Sequence, residues 1–129
     1  MAKIDFELRR FIKGPARNTW LQYEHMHYYV RKGHHALNHK LWYCLDVAGV
    51  EVKEDHRGAG IFTRWLSQLE KYFLAQDDFE AIYIECVVEP RFAEFFRKRG
   101  YSEQKIALST NTEFIFPNFY ILRSWKNKL

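Results

Sequence analysis

Two cysteines are all that this 129-residue chain contains. Cys44 and Cys86 lack CxxC spacing, so they read as small core residues of a reducing compartment, not as a disulfide frame. No apolar run approaches membrane-spanning length. The opening Met1-Ala2-Lys3-Ile4-Asp5 has no apolar signal core, so nothing directs export and the expected location is cytoplasmic. Charge of one sign is not gathered either. The net charge is +4, from 20 basic and 16 acidic residues, and Arg9, Arg10, Lys13, Arg97, Lys98, Arg99, Lys126 and Lys128 are scattered. With no nucleic-acid motif beside them, they read as solvated faces, and nucleic acid is not favoured as a partner. Repeats, linkers and low-complexity tracts are missing as well.

What is present is a globular composition. Hydrophobic residues make up 47% and charged residues 28%, which suits one domain over residues 1–129 with a single core. Aromatics reach 18%, and Trp20, Trp42, Trp65 and Phe95 are expected to dominate that core. Residues 4–12 alternate as a strand would, with Ile4, Phe6 and Leu8 on one face, until Gly14-Pro15 breaks it. In residues 16–32, Trp20, Tyr23, His27 and Val30 fit a helical stripe, while the aromatic richness equally allows a pair of strands. Residues 34–40 read as a loop. Residues 41–52 form the longest β-type run, and Gly49 inside it marks a bulge.

The clearest helix covers residues 60–76, with Ile61, Trp65, Leu66, Leu69, Tyr72 and Phe73 on one face. A buried strand follows at 81–88. A helix opened by Pro90 and stopped by Gly100 turns Phe92, Phe95 and Phe96 inward. Strands at 101–108 and 118–124 close a mixed α/β order, an α+β sandwich around a mixed sheet.

Between the long strand and the clear helix lies Arg57-Gly58-Ala59-Gly60-Ile61-Phe62. Glycines there let backbone N–H groups converge on an anion, and the helix N-terminus completes a phosphate cradle with Arg57 at its lip. The third glycine of a dinucleotide fingerprint and the Lys-Ser/Thr of a P-loop are both missing.

This segment resembles the Gln/Arg-x-x-Gly-x-Gly/Ala signature of the GNAT superfamily of acetyl-CoA-dependent N-acetyltransferases. Downstream, a second apolar strand leads into a short helix ending Arg97-Lys98-Arg99-Gly100-Tyr101, similar to the family's strand, helix and terminal Gly-Phe/Tyr. The likeness covers about residues 44–101. It implies a GNAT-like three-layer sandwich whose central strands splay. Acetyl-CoA would be the co-substrate, with its pantetheine along Val50, Glu51 and Val52 and its pyrophosphate on Arg57, Gly58, Ala59, Gly60, Ile61 and Phe62. Glu89 and Phe96 would stand beside the cofactor. An amine would attack the thioester directly, helped by a carboxylate base, Asp46 or else Glu51 or Glu85.

Many members place a tyrosine where Phe96 stands and an asparagine where Glu89 stands. Tyr101 or Tyr83 would then replace the missing proton donor, or the thiolate would leave unaided, its pKa being about 8.5. The resemblance implies an amine acceptor, protein or small molecule, and leaves the pairing of two copies open. Its alternative is a catalytically silent relative that binds acyl-CoA or a macromolecular partner.

Other chemistry is weakly marked. His34, His35 and His39 lack the cysteines or acidic pair of a zinc set and read as polar loop, so no metal is expected. Cys86 reads as a buried strand thiol, and a Ser/His/Asp triad has no nucleophile elbow to stand on.

Overall fold

In a computed structural model, residues 6–85, 90–107 and 115–122 are described. The elements are α1 (Phe6–Lys13), β1 (Asn18–Tyr23), β2 (Met26–Leu37), β3 (Lys40–Val52), a 3-10 turn (Glu54–His56), α2 (Ile61–Ala75), β4 (Ala81–Ile84), α3 (Pro90–Lys98), β5 (Ser102–Ala107) and β6 (Ile115–Leu122). They make a mixed α+β fold around one six-stranded sheet in the order β1-β2-β3-β4-β6-β5. Every pairing is antiparallel except β3 with β4. No helix among the described residues is long and apolar enough to cross a membrane.

The segment expected as a first strand is a helix. Leu8, Phe11 and Ile12 are buried at i, i+3 and i+4, whereas Phe6, which the alternation would have buried, is 71% exposed. Eight residues carry both periodicities, and packing chose the longer one. Lys32 from β2 then holds the end of α1: its Nζ donates to the carbonyls of Phe11 at 2.8 Å and Gly14 at 2.7 Å. These are carbonyls that a helix C-terminus leaves without partners.

The helical stripe through residues 16–32 does not form; the strand pair does. Met26, Tyr28 and Val30 are buried while His27 is exposed, a two-residue period that the aromatics of the stripe obscured. The loop expected at 34–40 is also strand as far as Leu37. Its turn is two residues, Asn38 and His39, with φ of 50° and 62°, the left-handed pair that a tight hairpin requires. On β3, Tyr29 pairs with Gly49 but Val30 with Val47. Ala48 is therefore the extra residue of a bulge, where Gly49 indicated one.

The buried side chains of all three helices join one apolar cluster with Met26, Tyr28, Val30, Leu45, Val47, Ile82, Ile84, Phe119 and Ile121 of the sheet. The other face carries a smaller cluster of Leu37, Cys44, Ala81, Tyr83 and Tyr120, to which no described helix contributes. Trp65 is at the centre of the larger cluster, but Trp20 is 57% exposed and lies outside it. Phe92, expected inward, is 47% exposed; Ala93 and Phe96 take the buried stripe of α3.

Glu70 on α2 ties α3 to the core. Its carboxylate accepts from Arg99 Nε and Nη2 at 2.7–3.0 Å and from the Tyr101 hydroxyl at 2.8 Å. Removing the guanidinium leaves a carboxylate buried with one donor. Arg99→Ala should therefore cost about 3 kcal/mol, the low end for a broken buried pair because Arg99 is partly exposed. Urea unfolding measures this, and a loss below about 1 kcal/mol would put the pair in the surface class.

Candidate acyl-donor cleft and polar cluster

The turn after β3 is built from backbone. Gly58 and Gly60 have φ of 83° and 77°, conformations that side chains with a Cβ rarely adopt. Gly60 caps α2 without a side-chain hydrogen bond. The N–H groups of Gly58, Ala59, Gly60, Ile61 and Phe62 have no intramolecular acceptor among the described residues. Five donors at a helix N-terminus are what an anion needs.

Parts of this cradle were not legible in the sequence. The tip of the β1–β2 hairpin braces it: His25 stacks on His56 with ring centroids 3.5 Å apart, and Lys53 N donates to the His25 carbonyl at 3.0 Å. Arg64 joins Glu24 and the Ala59 carbonyl, both at 2.8 Å. Arg57 crosses the turn and donates from Nε to the Val52 carbonyl at 3.1 Å. That carbonyl is one of the groups expected to meet pantetheine.

Beside the cradle, Phe62 is the hub of an aromatic group. Its ring lies 5.8–6.1 Å from those of Trp65, Phe92, Phe95 and Phe96. Phe96 is buried against Phe119 and Tyr101. Tyr101 is committed to Glu70, and burial pushes its phenol well above its ordinary pKa. That is a poor condition for giving a proton away. Glu89 and Cys86 lie outside the described residues.

β3 pairs with β4 over only four positions, Cys44–Val47 with Ala81–Ile84, extended by Glu85 N to the Val47 carbonyl at 3.0 Å. From the bulge to Val52, β3 pairs with β2 alone among the described residues. Val50 and Glu51 are exposed on this stretch, and Val52 packs partly against the core.

Where the seam ends, the face away from the helices holds a polar cluster. Asp46 is 4% exposed, with Oδ2 2.7 Å from His35 Nε2 and Oδ1 without a partner among the described residues. The His35 ring stacks on Tyr83, centroids 4.0 Å apart and planes 12° from parallel. Tyr83 donates to Gln104 at 2.6 Å and accepts from Asn118 at 2.7 Å. Arg31 pairs with Glu85 alongside. Of the expected bases, Asp46 and Glu85 come together here; Glu51 does not, lying opposite His27 near the cradle.

The loop reading of His35 is thus corrected: a strand carries it to Asp46. Sequence reasoning separated the two because antiparallel register, not spacing, unites them. One ligand atom each from His35, Asp46 and Glu85 lies within 4.8 Å of the others, close enough to hold a divalent cation, although Arg31 already neutralises Glu85. Cys44, buried below, is inert, its thiol pushed up to about 12 by burial.

With this geometry the chain has the GNAT-superfamily fold. No family model matches it, and no curated protein matches by sequence. Among solved structures, KacTA in a complex with DNA matches with a TM-score of 0.58 at 7% identity, over 96% of this chain and 84% of that one. Two structures of a point mutant of the toxin AtaT bound to the C-terminus of the antitoxin AtaR, one also with acetyl-CoA, match with TM-scores of 0.56 and 0.55. Their identities are 8% and 9%, over 80% of this chain, which spans 61% of theirs. A chimera of the spermidine N-acetyltransferase SpeG from Vibrio cholerae and hSSAT matches at 0.52 with 13% identity, over 81% of this chain and 71% of that one.

The Asp46 hydrogen bond, opposed by burial, holds the His35 pKa above its ordinary 6.5. A folded-state pKa above the unfolded one stabilises the fold fully below 6.5, and the gain is lost as pH rises through the raised value. The stability difference between wild type and His35→Gln should therefore be largest below pH 6.5 and shrink as the pH rises above it. Urea midpoints across that rise in pH measure it, and a constant difference would mean that the pair carries no charge.

Proposed function

We propose that this chain is a single-domain N-acetyltransferase that moves the acetyl group of acetyl-CoA onto a primary amine by direct attack. The observation carrying the reading is a set of three features: five amides at the α2 N-terminus and an edge of β3, both without partners among the described residues, and a buried carboxylate where that edge meets β4. Val52 lies six positions beyond Asp46 on β3, about 20 Å of strand, a length suited to an extended pantetheine arm.

The amides of Gly58, Ala59, Gly60, Ile61 and Phe62 would hold the pyrophosphate, with Arg57 and Arg64 adding positive charge. Val50, Glu51 and the free groups of Val52 would face pantetheine, and Phe62, Phe92 and Phe96, with Glu89, would flank it. The thioester would then lie at the parting of β3 and β4, open to an amine from the face that bears Asp46. Neither Phe96 nor Tyr101 supplies a proton in this scheme. The thiolate leaves without their help, as a thiol of pKa about 8.5 allows.

No described helix contributes to the face that bears Asp46. That favours an accessible amine, such as a protein N-terminus, a lysine or a polyamine, in the cytoplasm where acetyl-CoA is at hand. SpeG's spermidine makes that amine a sensible first trial. A second reading, a silent acyl-CoA binder, draws on the burial of Phe96 and the commitment of Tyr101 to Glu70.

Calorimetric titration with acetyl-CoA, with CoA and AMP as comparators, tests the cleft. Saturable binding is expected, and Gly60→Glu should abolish it while the circular dichroism stays that of a folded domain. No binding at millimolar acetyl-CoA would end the reading. Thiol release with amines then separates transferase from binder.

A further inference from the structure

The cluster at the seam holds two groups able to take a proton, and they are not equally placed. We infer that His35 accepts the proton of the attacking amine and that Asp46 is its positioning partner. This rests on the transferase reading.

Asp46 is enclosed, with one oxygen against the imidazole, while the His35 side chain is 26% exposed on the face that no described helix covers. Donation from Nε2–H to Asp46 fixes the tautomer and leaves the Nδ1 lone pair free; Nδ1 has no partner among the described residues. The ring cannot turn away easily, because it lies flat on Tyr83, itself held by Gln104 and Asn118.

The groups facing the imidazole are Arg31 on its own strand, Asp46 and Cys44 on β3, and Tyr83 and Glu85 on the β4 side. Two carboxylates favour the imidazolium and one guanidinium opposes it. A part-exposed imidazole held by an enclosed carboxylate suits a base working near neutrality better than a bare carboxylate does.

In the step itself, a neutral amine nitrogen bonds to the thioester carbonyl carbon as its N–H proton passes to His35 Nδ1. The C–S bond breaks, and sulfur departs with the electron pair. The thiolate then takes the proton from the imidazolium. Amine and thioester become amide and thiol, and His35 returns to its neutral form.

The test uses the full chain, acetyl-CoA, and spermidine and an unblocked alanyl peptide as amines, with thiol release followed against pH. Wild type should show an acid limb in kcat/KM above pH 6.5. His35→Gln should keep its acetyl-CoA affinity by calorimetry and lose about 100-fold or more in thiol release. Asp46→Asn should move the acid limb to lower pH, a shift that a merely structural role for Asp46 would not cause.

An unchanged rate in His35→Gln, or an unmoved limb in Asp46→Asn, would overturn the assignment. Wild type that binds acetyl-CoA yet releases no thiol with either amine also overturns it, while leaving the cofactor cleft in place. Wild type that does not bind acetyl-CoA removes the transferase reading and this inference together.

Discussion

Four residues of parallel pairing hold this sheet together. Among the described residues, Cys44–Val47 against Ala81–Ile84 is the only strand pairing between an antiparallel β1-β2-β3 half and an antiparallel β4-β6-β5 half. Its strength is apolar. Leu45, Val47, Ile82 and Ile84 are buried against the helices, and each full burial contributes roughly 1.5–3 kcal/mol. That gain offsets the cost of enclosing Asp46 on the other face of the same strand. Parity along β3 does the sorting: Leu45 and Val47 go to the core, Cys44 and Asp46 away from it. Since the register sets Asp46 opposite Tyr83 and Arg31, the polar cluster follows from the seam itself.

The seam also sets where β3 ceases to pair with β4 among the described residues. Past Val47 the bulge at Ala48 bends β3, and its edge has no strand partner among the described residues. At the far end of that edge is the glycine turn. Glycine backbone conformations, the His25–His56 stack and the Arg64–Glu24 pair hold it from three elements. A site ordered in advance binds with less entropy lost on association. The β1–β2 hairpin matters here as a brace, a role invisible until its tip is seen beside the turn.

Legibility followed the range of the interaction. The cradle, α2, α3 and the bulge each rest on local signals: glycine at positive φ, a fifteen-residue amphipathic stripe, Pro90 and Gly100 as boundaries. Those signals need no knowledge of the rest of the chain. In Phe6–Lys13 two periods fit the same letters, and the Asn38-His39 turn lacks the glycine that marks a hairpin. Trp20 was placed in the core by size, yet aromatic size alone does not say which face of an outer strand is covered. His35 was the deepest omission. Eleven residues from Asp46 in sequence, it meets that carboxylate only through the β2–β3 register.

Two buried carboxylates show what separates structural from chemical burial in this fold. Glu70, on the helix side, has both oxygens occupied, by Arg99 and Tyr101. Such a network stiffens the packing of α2 on α3 and has no valence left over. Asp46, on the other face, has one oxygen on an imidazole and the other on nothing among the described residues. Buried polar atoms in proteins nearly always have a partner, protein or ordered water, so this oxygen is where water or a ligand would donate. That oxygen lies beside the described pairing of β3 with β4 and next to a histidine whose second nitrogen has no partner among the described residues. Packing alone does not require a polar group at that point, because Cys44 and Ala81 show the same face accepting small apolar side chains one row away. Under the transferase reading proposed above, these polar residues would meet the amine, a part that Glu70, with both oxygens taken, could not play.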